Sequence, residues 1–205
     1  MALTDLVRQG AHVEEVAKHL DALAQPQRIE QLHALGAKEQ ARLYEIAIDS
    51  PPLGLDFFVP PDVADEREVI HFGKNSQPAF REFQKRWSRP TGRPGELYGY
   101  NETMVRPLIG PGYFVAHLTD PDDDERGNDP RGAVVVDYFM VPEGPVPEGW
   151  PPVRANSKGL QRFVYDKTRD YMRRVSSHCS IGIAYRLEKR VMGYFVLCRD
   201  EGPGS

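Results

Sequence analysis

Cysteine is scarce in this chain: Cys179 and Cys198 are the only two among 205 residues, and two thiols make a poor disulfide framework. Neither stands at metal-ligand spacing, which argues against a structural zinc site and for two small buried hydrophobes in strand-like segments. Long apolar runs are also missing. The opening MALTDLVRQG is too mixed for a signal peptide or a membrane span. Low-complexity tracts are lacking as well, because the 18 glycines and 18 prolines are dispersed among apolar runs and disorder is confined to short stretches. A net charge of -4 argues against a dedicated nucleic-acid binder. These absences predict a cytoplasmic protein that spans no membrane, carries no cofactor or metal, and does not have nucleic acid as its partner.

What is present is 40% hydrophobic residues, enough at this length for one compact domain with a real core. Residues 1–50 read as a helical hairpin or lid. Val13, Val16, Ala17, Leu20, Leu23 and Ala24 recur on one helical face. Breaks follow at Gln25-Pro26, Gly36 and Ser50-Pro51-Pro52. Residues 51–102 read as a loop-rich connector with one basic, aromatic helix opening near Pro78. From Thr103 the period changes to two, through TMVRPLI, YFVAHL, AVVVDYFMV, SIGIAYR and VMGYFVLCR. The proline-rich VPEGPVPEGWPP, Val141 to Pro152, reads as an extended surface crossing anchored by Trp150. A helix over 157–175 is predicted from the stripe Leu160, Val164, Thr168, Tyr171 and Val175. The expected class is therefore α+β: about five mostly antiparallel strands within 103–200, a long helix on one face, and a helical segment in front.

LDALAQPQRIEQLHAL, Leu20 to Leu35, resembles the opening helices of the winged-helix metal-responsive repressors. Such a repressor continues with a recognition helix and a hairpin wing. SPPLGLDFFVPPD, which follows here at Ser50 to Asp62, cannot form a recognition helix.

Charge is uneven, with six basic residues against one acidic over Lys74 to Arg93, and six against two over Lys158 to Arg174. The stretch HFGKNSQPAF fails as a nucleotide-binding P-loop, since Glu68 and Asn75 occupy the positions that need glycine and serine or threonine. As a helix start capped by Asn75 or Ser76, however, it would favour an anion, with Lys74, Arg81 and Lys85 adding positive charge. Strand alternation puts Asp137 on the face of Ala133 and Val135, and His117 on that of Tyr113 and Val115. That pair would supply general acid and base chemistry if it met. The acidic run Asp120 to Asp129 lacks the ligand spacing of a calcium loop. The expected function is a binding module for a small phosphate- or carboxylate-bearing ligand. The alternatives are an enzyme built on Asp137 and His117, or a module that meets a protein or nucleic acid through its basic segments.

Overall fold

A computed structural model describes residues 1–77, 81–119 and 129–202. Its centre is a closed barrel of eight antiparallel strands, each paired with its neighbours in sequence and the last with the first. The strands are β1 (Val69–Asn75), β2 (Glu82–Ser88), β3 (Leu97–Glu102), β4 (Phe114–Leu118), β5 (Val134–Asp137), β6 (Thr168–Arg174), β7 (Cys179–Arg186) and β8 (Arg190–Arg199). The expected five-strand sheet bearing a long helix is thus overturned. β1, β2, β3 and β6 come from segments read as connector or helix.

The error at β2 has a simple cause. Phe83 and Trp87 are four residues apart, which is one helical turn and also two full pleats, so both periods place them on one face. Lys85 decides between them: it alternates inward with Phe83 and Trp87, and all three are buried. Pro78 and Phe80, on which the helix start also rested, lie outside the described residues. Over 157–175 the helical stripe dissolves in the same way, into a single 3-10 turn at Leu160–Phe163 followed by β6, in which Thr168, Asp170 and Met172 are buried. Conversely, the expected strand TMVRPLI contains the short helix Arg106–Ile109.

Four short helices precede the barrel: α1 (Leu3–Gln9), α2 (Val13–Asp21), α3 (Gln25–Ala34) and α4 (Ala37–Ile46). Their ends follow the sequence, with Gly10 left-handed at the close of α1 and Pro26 in the first turn of α3. α3 packs on β8 and β1, α4 on β8 and β7. Leu20, Leu32, Leu35 and Leu43 meet Ile181, Ile183 and Val196 on the outer wall of the barrel. The helices therefore form a side layer.

A second core fills the barrel. Three of its inward-facing phenylalanines lie directly opposite a glycine on the next strand: Phe83 on Gly73, Phe114 on Gly99 and Phe195 on Gly182. A Cβ at those glycines would stand 2.6, 2.3 and 2.3 Å from the facing ring, so each glycine makes room for an aromatic laid across the adjacent strand. At one end, Leu53, Phe57, Phe58 and Val59 close the barrel, Phe58 stacking on Trp87 at 4.4 Å. Among the described residues, the opposite end is left open.

Candidate functional site

The open end is bounded by the described residues of the β1–β2, β3–β4, β5–β6 and β7–β8 connections, and beneath it lies a cavity of about 210 Å³. Its walls are largely aromatic and apolar, including Phe83, Val164, Tyr165, Ala184 and Phe195. Four polar side chains come together at its foot: Lys85 from β2, Asn101 from β3, Tyr138 just beyond β5, and Asp170 from β6. Each faces inward because pleat alternation and the ladder register put it there.

The Lys85 ammonium donates to Asp170 Oδ2 at 3.1 Å, to Asn101 Oδ1 at 3.3 Å and to the Tyr138 hydroxyl. Tyr138 in turn donates to Asp170 Oδ2 at 3.3 Å, while Asn101 Nδ2 donates to the Tyr138 oxygen and to the Gly112 carbonyl, both at 3.0 Å. Rings surround the nitrogen, with the centroids of Phe114, Tyr138 and Phe195 at 4.8, 5.0 and 5.0 Å. Tyr165 stacks on Tyr138 at 5.5 Å and roofs the group.

Lys85 is 1% exposed and Asp170 4%. Burial disfavours charge on both: it draws the lysine below its ordinary range, opposed by Asp170, and lifts the aspartate above its own, opposed by Lys85. Burial also holds the Tyr138 hydroxyl well above the ordinary tyrosine range, and the charge of Asp170 pushes it the same way. A desolvated ion pair contributes little net stability compared with a well-packed apolar pair. A buried pair lining a cavity, with both titrations displaced by burial against the pull of the partner, is a candidate functional site.

Searches against protein-family models, curated proteins and solved structures found no match. The functional reading therefore rests on this geometry alone.

Of the residues singled out in the sequence, Lys85 reaches this site, brought there by a strand instead of a helix. Asn75 lines the cavity nearer its mouth. Ser76 is used in the β1–β8 seam, where its hydroxyl accepts the Tyr194 N–H at 2.9 Å. Lys74 turns outward and donates to the His33 carbonyl, and Arg81 is exposed at the start of β2. The five are not gathered at one helix start. His117 and Asp137 share the outer face but are offset, opposite Val135 and Val115 respectively. The His117 ring bonds the Leu118 carbonyl at 2.7 Å, whereas Asp137 takes the Arg169 guanidinium at 2.9 Å and the Phe139 N–H at 2.7 Å. Among the described residues, no hydrogen bond joins the two.

Asn101, Tyr138 and Asp170 escaped the sequence reading. The signal that could have found them was the period-two set Thr168, Asp170 and Met172 inside TRDYMRR, where a carboxylate shares a face with apolar neighbours. Among the described residues, no group of three or more His, Cys, Asp or Glu side chains converges as a metal site, and no helix is long and apolar enough to cross a membrane.

Proposed function

We propose that the protein binds a small organic molecule in the mouth of the barrel, with an aromatic or otherwise planar body against Phe83, Tyr165 and Phe195 and a polar group directed at the Lys85–Asp170 pair. The observation that carries this reading is a hydrogen-bonded polar quartet at the foot of an aromatic cavity open at one end of a closed barrel. Eight-stranded barrels have an interior just wide enough to be filled by side chains or to hold one small ligand. At about 210 Å³ the cavity is smaller than the ~300–1,000 Å³ of typical ligand sites, which favours a single-ring compound. Its charge follows from the pair: Asp170 offsets Lys85, so an entering anion meets a carboxylate beside the ammonium, and a net-neutral ligand fits better.

The test is a thermal-shift and NMR titration with benzyl alcohol, benzoate and related single-ring fragments, on the wild type and on Ala184→Trp, which fills the cavity. A ligand at a hundred times its Kd adds about 2.7 kcal/mol, expected to raise the melting point of a chain this size by roughly 5–10 °C. Neutral fragments should bind the wild type better than benzoate, and none should bind Ala184→Trp. Binding that survives Ala184→Trp would place the ligand elsewhere and remove the proposal.

A further inference from the structure

Resting on the barrel-mouth reading, we infer that Lys85 is a carbonyl-capturing amine, and that an aldehyde or ketone held in the cavity condenses with its Nζ to form an imine. Lys85 is the one buried lysine among seven, and it lines the cavity from below. A neutral carbonyl compound can therefore approach it without carrying a charge into the barrel. The nitrogen also touches the groups that the reaction needs. Asp170 Oδ2 at 3.1 Å can take a proton from the ammonium, and the Tyr138 hydroxyl can relay one to a developing alkoxide. Asn101, at 3.3 Å the longest of the three contacts, is the one to yield to an incoming carbonyl.

The steps balance without any external oxidant or reductant. Lys85 first passes a proton to Asp170, leaving a neutral amine beside a neutral acid. Burial opposes charge on both groups, so it favours this transfer. The nitrogen lone pair then bonds to the carbonyl carbon and the C–O π pair moves to oxygen, which receives a nitrogen proton through Tyr138 to give a carbinolamine. Asp170 protonates the carbinolamine hydroxyl, the C–O bond breaks and water leaves. The remaining nitrogen lone pair closes the C=N bond, and the protonated imine faces the restored Asp170 carboxylate.

The experiment incubates the whole chain with benzaldehyde and sodium cyanoborohydride near neutral pH and maps the benzylated peptides by mass spectrometry. Benzyl alcohol binding is followed in parallel by NMR. The expected result is one benzyl group, on Lys85, ahead of the six other lysines, and its loss in Lys85→Arg, which keeps a cation against Asp170 but no primary amine. If Lys85→Arg does not fold, Lys85→Met combined with Asp170→Asn removes both charges together, and the wild-type map is decisive by itself. Labelling spread over the exposed lysines with Lys85 spared overturns the imine. So does benzyl alcohol binding in the cavity with no adduct from benzaldehyde, an outcome that leaves the binding reading intact. Failure of both probes to enter removes the two together.

Discussion

His71 is fully buried near the closed end of the barrel, its Nε2 at 3.0 Å from the Phe58 carbonyl and its ring beside the stacked Phe58 and Trp87, 5.6 Å from each. Burial among these rings pushes its pKa down from an ordinary 6.5 to about 3. Above pH 6.5 the ring is neutral in both folded and unfolded chains and contributes no pH dependence. Between 6.5 and about 3 the unfolded ring accepts a proton that the folded one refuses, so stability falls as the pH drops, by about 1.4 kcal/mol per unit. His71→Gln removes the titration while keeping a donor for the Phe58 carbonyl. Its melting temperature should fall less steeply than the wild type's between pH 6.5 and 4, and parallel curves would show that other groups dominate acid unfolding. Glycine is required at Gly99, where a Cβ would come within 2.4 Å of the Arg86 carbonyl as well as striking the Phe114 ring. No larger residue fits that wall without moving a strand.

At the level of elements, the β7–β8 hairpin turns through Leu187 and Glu188, both with positive φ (54° and 60°) and neither a glycine. Residues other than glycine tolerate that region only when their surroundings hold them there. Glu188 supplies the hold: its carboxylate accepts from Arg131 at 2.5 Å, Arg169 at 2.9 Å and the Tyr171 hydroxyl at 2.8 Å. The Arg169 guanidinium also holds Asp137, so one network ties β5, β6 and the turn together. Glu188→Ala should cost about 1–2 kcal/mol in urea unfolding, since the network is half-exposed and each charged hydrogen bond is partly screened; a loss under 0.5 kcal/mol would show that the turn holds itself. This hairpin is legible in the sequence, because the alternating runs SIGIAYR and VMGYFVLCR flank the short polar link LEKR. β2 and β6 are not, since a spacing of four fits a helical turn and two pleats alike. In β6 the guanidinium groups of Arg169 and Arg173 lie over the Phe139 and Tyr44 rings on the outside, so the outer face lacks the plain polarity that marks a strand. The candidate site inherited this ambiguity. Lys85 stands out in the sequence for its charge, on a stretch that reads as a helix, whereas Asp170 lies off the apolar stripe of the expected helix and stands out in no way.

Over the whole molecule, two cores share one wall. β7 and β8 present Ser180, Gly182 and Leu197 to the barrel interior and Ile181, Ile183 and Val196 to the helical layer. Neither core can lose that wall and survive, so unfolding should be a single transition. Tryptophan fluorescence reports Trp87 inside the barrel and Trp150 on its flank, and circular dichroism at 222 nm reports largely the helices. The two curves should coincide in urea, whereas an earlier loss of helix would show that α1–α4 fold separately. By itself the sequence marks the helical character of the early residues, the break at Gly36 and the strands around Val115, Val135, Ile183 and Phe195, whereas Gln25-Pro26, read as a break, opens α3 and the break falls just before it. These follow from caps, prolines and local periodicity, which act within a few residues. Barrel closure, the three glycine–phenylalanine pairs and the Lys85–Asn101–Tyr138–Asp170 quartet depend on strand register between segments far apart in the chain, as distant as His71 and Arg199 where β1 meets β8. Local preference cannot encode that register. It is settled only when eight strands close on one another and each inward side chain must fit the space its neighbours leave.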